Sequence, residues 1–101
     1  MKILLSPQFN DGKINYTFKK DIIIAELNGV TDIFDFTEMP DGKIENPEID
    51  IESNFGIPLV LSAEKKDGVL SVELLNYIDF SNSTEEERFP EWFEVKFDGE
   101  D

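Results

Sequence analysis

Two dipeptides, Asn28-Gly29 and Asp67-Gly68, constrain this chain more than anything else in it. Each is flanked on both sides by alternating apolar residues. The favoured two-residue hairpin turns need positive φ at their central positions, and Asn-Gly and Asp-Gly tolerate that best. Around the first turn, DIIIAEL (21–27) and VTDIFDF (30–36) pair Leu27 with Val30, Ala25 with Asp32 and Ile23 with Phe34. Ile23, Ala25, Leu27, Val30, Phe34 and Phe36 then share one face, interrupted only by Asp32. The opposite face pairs Ile22 with Asp35, Ile24 with Ile33 and Glu26 with Thr31, a mixed surface that leaves room for partial cover.

Around the second turn, IPLVLSAEKK (57–66) and VLSVELLNYI (69–78) are expected to set Leu61 opposite Leu74, Ala63 opposite Val72 and Lys65 opposite Leu70. The other face then holds Ser62 with Glu73 and Glu64 with Ser71. Both strands agree on which face is apolar. That agreement supports the register, because a slip of one residue would put the apolar set in water.

The rest of the chain reads as shorter pieces of the same kind. INYTFK (14–19) alternates as a half-buried strand, and KILL (2–5) reads as a short first strand. FNDG (9–12) and MPDG (39–42) read as turns. NPEIDIESN (46–54) alternates Ile49 and Ile51 with acids, as an acidic edge strand would. In SNSTEEERF (81–89), Ser83 lies three residues before Glu86, the spacing of a capping box, and Pro90 limits the helix to one or two turns. In RFPEWFEVKF (88–97), Phe93, Val95 and Phe97 fall on one side of a strand and are expected in the core. Trp92 falls on the polar side. Trp92 and Phe89 therefore stand as the candidate partner contact, since aromatics are enriched at interface hot spots. The fold expected is all-β, six to eight strands in a small sandwich or partly open barrel built on antiparallel hairpins, with one short helix near the C-terminus. The 101 residues are expected to form a single domain, 1–101.

Charge is unevenly distributed. The formal net charge is −14, and segments 32–54 and 79–101 each net −7, so the remainder is neutral. A field of this sign repels phosphate backbones and anionic lipid, which argues against nucleic-acid and membrane-surface partners. It attracts basic proteins or divalent cations, or simply keeps the chain in solution. With 40% hydrophobic residues and nine Phe, the chain has the means to build a core. The apolar run near Met1 is short for a signal peptide, and no run has the length of a membrane span.

Catalytic residue types are scarce. The sequence has no His and no Cys, which removes Ser-His-Asp and Cys-His arrangements and thiolate metal sites. No phosphate-cradling glycine motif is present. DFTEMPD (35–41) and DIES (50–53) offer oxygen ligands, but neither follows the spacing of a calcium loop. The reading is of a non-enzyme with no cofactor, no metal and no catalytic residue.

The segments KILLSPQFNDGKINYTF, DIFDFTEMPDG, KKDGVLSVELLNYI and ERFPEW together resemble small uncharacterised acidic proteins of phages and prophages of Gram-positive bacteria, encoded among the tail genes. The resemblance spans nearly the whole chain, and its motifs are turns and core strands. It implies a tail-associated structural or assembly role through protein–protein contacts, with a tail protein or a second copy as partner. It also implies a place in the host-cell cytoplasm or in the virion. The alternative is an acidic effector that mimics nucleic acid and occupies a basic site on a host protein. The sequence leaves the oligomeric state open.

Overall fold

A computed structural model of the chain describes residues 1–46, 51, 57–79 and 81–95. Among the described residues there are eight strands and one helical turn: β1 (Lys2–Phe9), β2 (Asn15–Lys19), β3 (Ile22–Leu27), β4 (Val30–Asp35), β5 (Gly42–Lys43), β6 (Val60–Lys66), β7 (Val69–Ile78), α1 (Glu85–Arg88) and β8 (Phe93–Glu94). They form a five-stranded sheet, β5-β6-β7-β1-β8, and a three-stranded sheet, β2-β3-β4. The protein is all-β, as the two hairpin turns dictate. No helix among the described residues is long and apolar enough to cross a membrane.

The first hairpin has the register its turn predicts, from Leu27 opposite Val30 to Ile22 opposite Asp35. Asn28 and Gly29 both take positive φ, 53° and 78°. β2 adds to the other side of β3, with Phe18 opposite Ile23 and Tyr16 opposite Ala25. The inward face of this sheet is buried: Ile23 and Ala25 are fully covered, and Phe34 and Phe36 nearly so. Its outward face consists of three rows, Lys19–Ile22–Asp35, Thr17–Ile24–Ile33 and Asn15–Glu26–Thr31.

The second hairpin differs from expectation at one point. Ala63 lies opposite Val72 and Lys65 opposite Leu70, but Leu74 lies opposite Val60 instead of Leu61. A bulge at Leu61 inserts one extra residue between Val60 and Ser62. Its physical reason is the run Leu74-Leu75, in which both side chains are buried. The strand must re-aim to bury both, and Leu75 N–H donates to Leu59 O at 2.8 Å beyond the bulge.

β1 extends past the expected Leu5 to Phe9 and runs parallel to β7, with Ile3 beside Val72 and Leu5 beside Leu74. The five-stranded sheet is thus closed by a non-local parallel pair as well as by antiparallel hairpins. The first turn falls at residues 10–12, where Asn10 Oδ1 accepts from Gly12 N–H at 2.9 Å. The turn expected at 39–42 lies earlier, where Met39 N–H reaches Phe36 O at 3.0 Å. Asp41 instead braces the tip of the second hairpin. Its carboxylate accepts from the Asp67 and Gly68 N–H groups at 3.0 and 3.2 Å. The acidic strand expected in 46–54 lies outside the described residues apart from Asn46 and Ile51. Ile51 packs half-buried against the core.

Two polar ties join the sheets. Lys65 is 7% exposed, and its ammonium donates to Phe36 O at 3.0 Å and pairs with Asp21 Oδ2 at 3.5 Å. Tyr16 reaches across from the small sheet and donates its hydroxyl to Leu75 O at 2.5 Å. Burial, with Tyr77 nearby, pushes the Tyr16 hydroxyl well above the ordinary phenol range. An unfolded tyrosine releases its proton near pH 10, whereas the folded chain retains it. Stability is therefore expected to fall as pH rises above about 10, by up to about 1.4 kcal/mol per pH unit from this group. Urea unfolding at pH 9, 10 and 11 checks this. Tyr16→Phe should flatten that limb, and equal slopes in both proteins would contradict it.

A candidate docking groove

The segment after β7 is folded by its own short-range hydrogen bonds. Asp79 accepts from Ser81 N–H at 2.8 Å and from Asn82 Nδ2 at 3.2 Å, and these bonds hold its carboxyl below the usual carboxylate range. The capping box falls one residue later than expected. Thr84, not Ser83, caps α1: its Oγ1 accepts from Glu87 N–H at 3.1 Å, and Glu87 Oε1 accepts from Thr84 N–H at 2.8 Å. Ser83 is taken up by the preceding turn, its N–H bonded to Asp79 O at 3.0 Å. The acids of the first turn, Glu85 to Glu87, suit the positive end of the helix.

From α1 the chain returns antiparallel along the outer edge of β1 and pairs only with its start. Lys2 lies opposite Glu94 and Ile3 opposite Phe93, and Val95 N–H donates to Met1 O at 2.8 Å. On the other side of β1, Asn10 N–H donates to Ile78 O of β7. Backbone groups alternate along a strand, so Met1, Ile3, Leu5 and Pro7 direct theirs to the outer edge. Pro7 has no N–H to offer there. An edge position costs it no ladder bond and makes the edge a poor template for an added strand.

Between this edge and the returning segment lies a groove of about 440 Å³, lined by Leu5 and Asn76 on one side and Phe89, Pro90, Trp92 and Phe93 on the other. Glu86, Glu87 and Glu91 stand along it. A smaller hollow of about 270 Å³ lies against Phe89, between Pro7, Phe9, Ile78 and Arg88. Phe89 is 73% exposed, Trp92 48% and Phe93 42%.

The structure thus brings Phe89 and Trp92 together in one groove. It also corrects the expected core assignment of this segment. Val95 packs half-buried against the core, but Phe93 is left exposed at the sheet margin and Phe97 lies outside the described residues. The reason is that β8 is two residues long, at the margin of the sheet, with too little pairing to draw its aromatics inward. Leu5 and Asn76 are not evident as groove residues from the sequence, nor Phe9 as part of the adjoining hollow. The edge proline Pro7 is the available signal that this flank of β1 is not an interior ladder.

Among the described residues no group of three or more acids is placed to hold a metal ion. The groove's titratable side chains are carboxylates spaced along its rim. Fold and groove together define a two-sheet β protein with an acid-rimmed aromatic groove. No protein-family model, curated protein or solved structure matches the chain.

Proposed function

We propose that this protein is a non-enzymatic docking or assembly module that binds a protein partner through the groove between β1 and residues 84–93. The observation that carries the reading is the exposure of Phe89, Trp92 and Phe93 side by side in one concave surface. Large aromatics bury on the order of 150–250 Å² each. At about 25 cal/mol per Å², covering the exposed parts of Phe89 and Trp92 is worth roughly 5 kcal/mol before the costs of association. The acidic rim favours a partner that brings Lys or Arg beside an apolar anchor. The resemblance to phage and prophage proteins supports a tail protein as that partner, met in the host-cell cytoplasm or in the virion.

Trp92 is the single tryptophan of the chain, so its fluorescence reports directly on the groove. Titration with purified candidate tail proteins is expected to shift Trp92 emission to the blue. Phe89→Ala should weaken binding by about 30-fold or more, and Trp92→Ala, followed by calorimetry, by a similar factor. Binding that leaves Trp92 emission and both variants' affinities unchanged would remove the groove as the site. If that binding also fell steeply with salt, the acidic-effector reading would take its place.

A further inference from the structure

We propose that the outward face of the three-stranded sheet is a contact between two copies of this chain, related by a two-fold axis running along β3. This surface is separate from the groove. Ile33 is 61% exposed there, and Ile22 and Ile24 lie half-buried beside it, so a continuous aliphatic strip crosses β3 and β4. On a chain of net charge −14, this face carries only Lys19, Glu26 and Asp35 as charged groups. Two such faces can therefore meet with one like-charge contact, at Glu26.

The placement of those charges selects the occupant. In the row Lys19–Ile22–Asp35 a cation sits on one outer strand, an apolar residue on the central strand and an anion on the other outer strand. A two-fold axis parallel to the central strand lays each β2 over the partner's β4. Each Lys19 then faces Asp35 of the other copy, twice over. Ile22 meets Ile22, Ile24 meets Ile24, and Ile33 meets the aliphatic part of Thr17. Asp35 is exposed, and hydrogen bonds from the Thr37 hydroxyl and then from its N–H hold its carboxyl below the usual carboxylate range. An axis across the strands would instead set Ile22 against Glu26, so the charge pattern picks one arrangement. Aligned sheets pack about 10 Å apart with strands within about 30° of each other, which preserves these pairings near the axis.

The same geometry sets Glu26 of one copy against Glu26 of the other, a repulsion that neutralising the side chain would relieve. The footprint is also small: three strands of five or six residues put the interface at the low end of specific contacts, with a dissociation constant on the order of micromolar or weaker.

The test is sedimentation equilibrium or light scattering of the full chain from about 10 μM to about 1 mM. A mass rising from 11.6 kDa to twice that value is expected. Ile33→Lys, a change at an exposed position that leaves the fold intact by circular dichroism, should weaken the dimer by about tenfold or more. Glu26→Gln should tighten it several-fold. Lys19→Asp should weaken it, and Lys19→Asp with Asp35→Lys should restore it. A monomer throughout the range overturns the proposal. So does a dimer that ignores Ile33→Lys and Glu26→Gln but is lost in Trp92→Ala, which would place self-association in the groove.

Discussion

Lys65→Met is expected to lower the unfolding free energy by about 2–4 kcal/mol, read from urea denaturation at neutral pH. Lys65 belongs to β6 of the five-stranded sheet, yet its ammonium is bonded to Phe36 O and paired with Asp21, both flanking strands of the small sheet. Methionine fills nearly the same volume, so the loss isolates the polar tie from packing. Removing one member of a fully buried pair costs about 3–5 kcal/mol. The side chain of Asp21 is 20% exposed, so water relieves part of that, which sets the lower figure. The Phe36 carbonyl loses the ammonium but keeps the Met39 N–H as a donor, which limits the loss further. Adding Asp21→Asn to Lys65→Met should recover about 1 kcal/mol, because Asn removes the stranded charge and still tolerates the φ of 57° found at residue 21. Lys66→Met, at the exposed neighbour, should fall within about 0.5 kcal/mol of the parent protein. A Lys65→Met protein as stable as its parent would mean that the tie contributes nothing.

The second large effect is expected at Ile3. Ile3→Ala should cost about 3–4 kcal/mol, against the roughly 5–15 kcal/mol of a typical small domain. Ile3 is completely buried, beside Val72 of β7 on one side and Phe93 of β8 on the other. Deleting its outer atoms opens a cavity where two strands meet β1, and the parallel partner is held by its own hairpin and has little freedom to collapse inward. Loss of β8 pairing should follow, which Trp92 emission would report as a shift to the red in the native state. Leu4→Ala, at a half-buried position on the same strand, should cost markedly less. Similar costs at both positions would show that the interior is not centred on β1.

What could be read from the sequence follows the range of the interactions involved. The register of the first hairpin is written in the few adjacent residues around Asn28-Gly29, where turn chemistry and alternation act together. The register of the second is equally local until Leu74-Leu75, two neighbouring side chains that both demand burial. Period-two alternation has no way to express that, and the bulge at Leu61 is the result. The pairing of β1 with β7 joins residues nearly seventy positions apart. Nothing in KILLSPQF states its partner. Lys65 is legible as facing the apolar side opposite Leu70, but Asp21 and Phe36 come to it only through the packing of one sheet on the other. In the candidate site, Phe89 and Trp92 are legible because they interrupt a charged segment. Leu5 and Asn76 are not, since only the parallel pairing of β1 brings them to the same wall. Ser83 and Thr84 present the same capping spacing, and the choice between them rests on Asp79, which captures Ser83 first.

The parallel pairing of β1 with β7 also sets a timetable for the chain as it is made. The three-stranded sheet is complete in sequence once residue 35 has emerged from the ribosome. The first strand, by contrast, must wait for residues 71–78 before it can find its neighbour. Throughout that interval Ile3, Leu4 and Leu5 are without their lasting partner, which is still unsynthesised. Slow translation between codons 36 and 70 would lengthen the exposure, and fast translation would shorten it. Because long-range pairing of this kind also slows folding in solution, the five-stranded sheet is expected to be the later of the two to assemble.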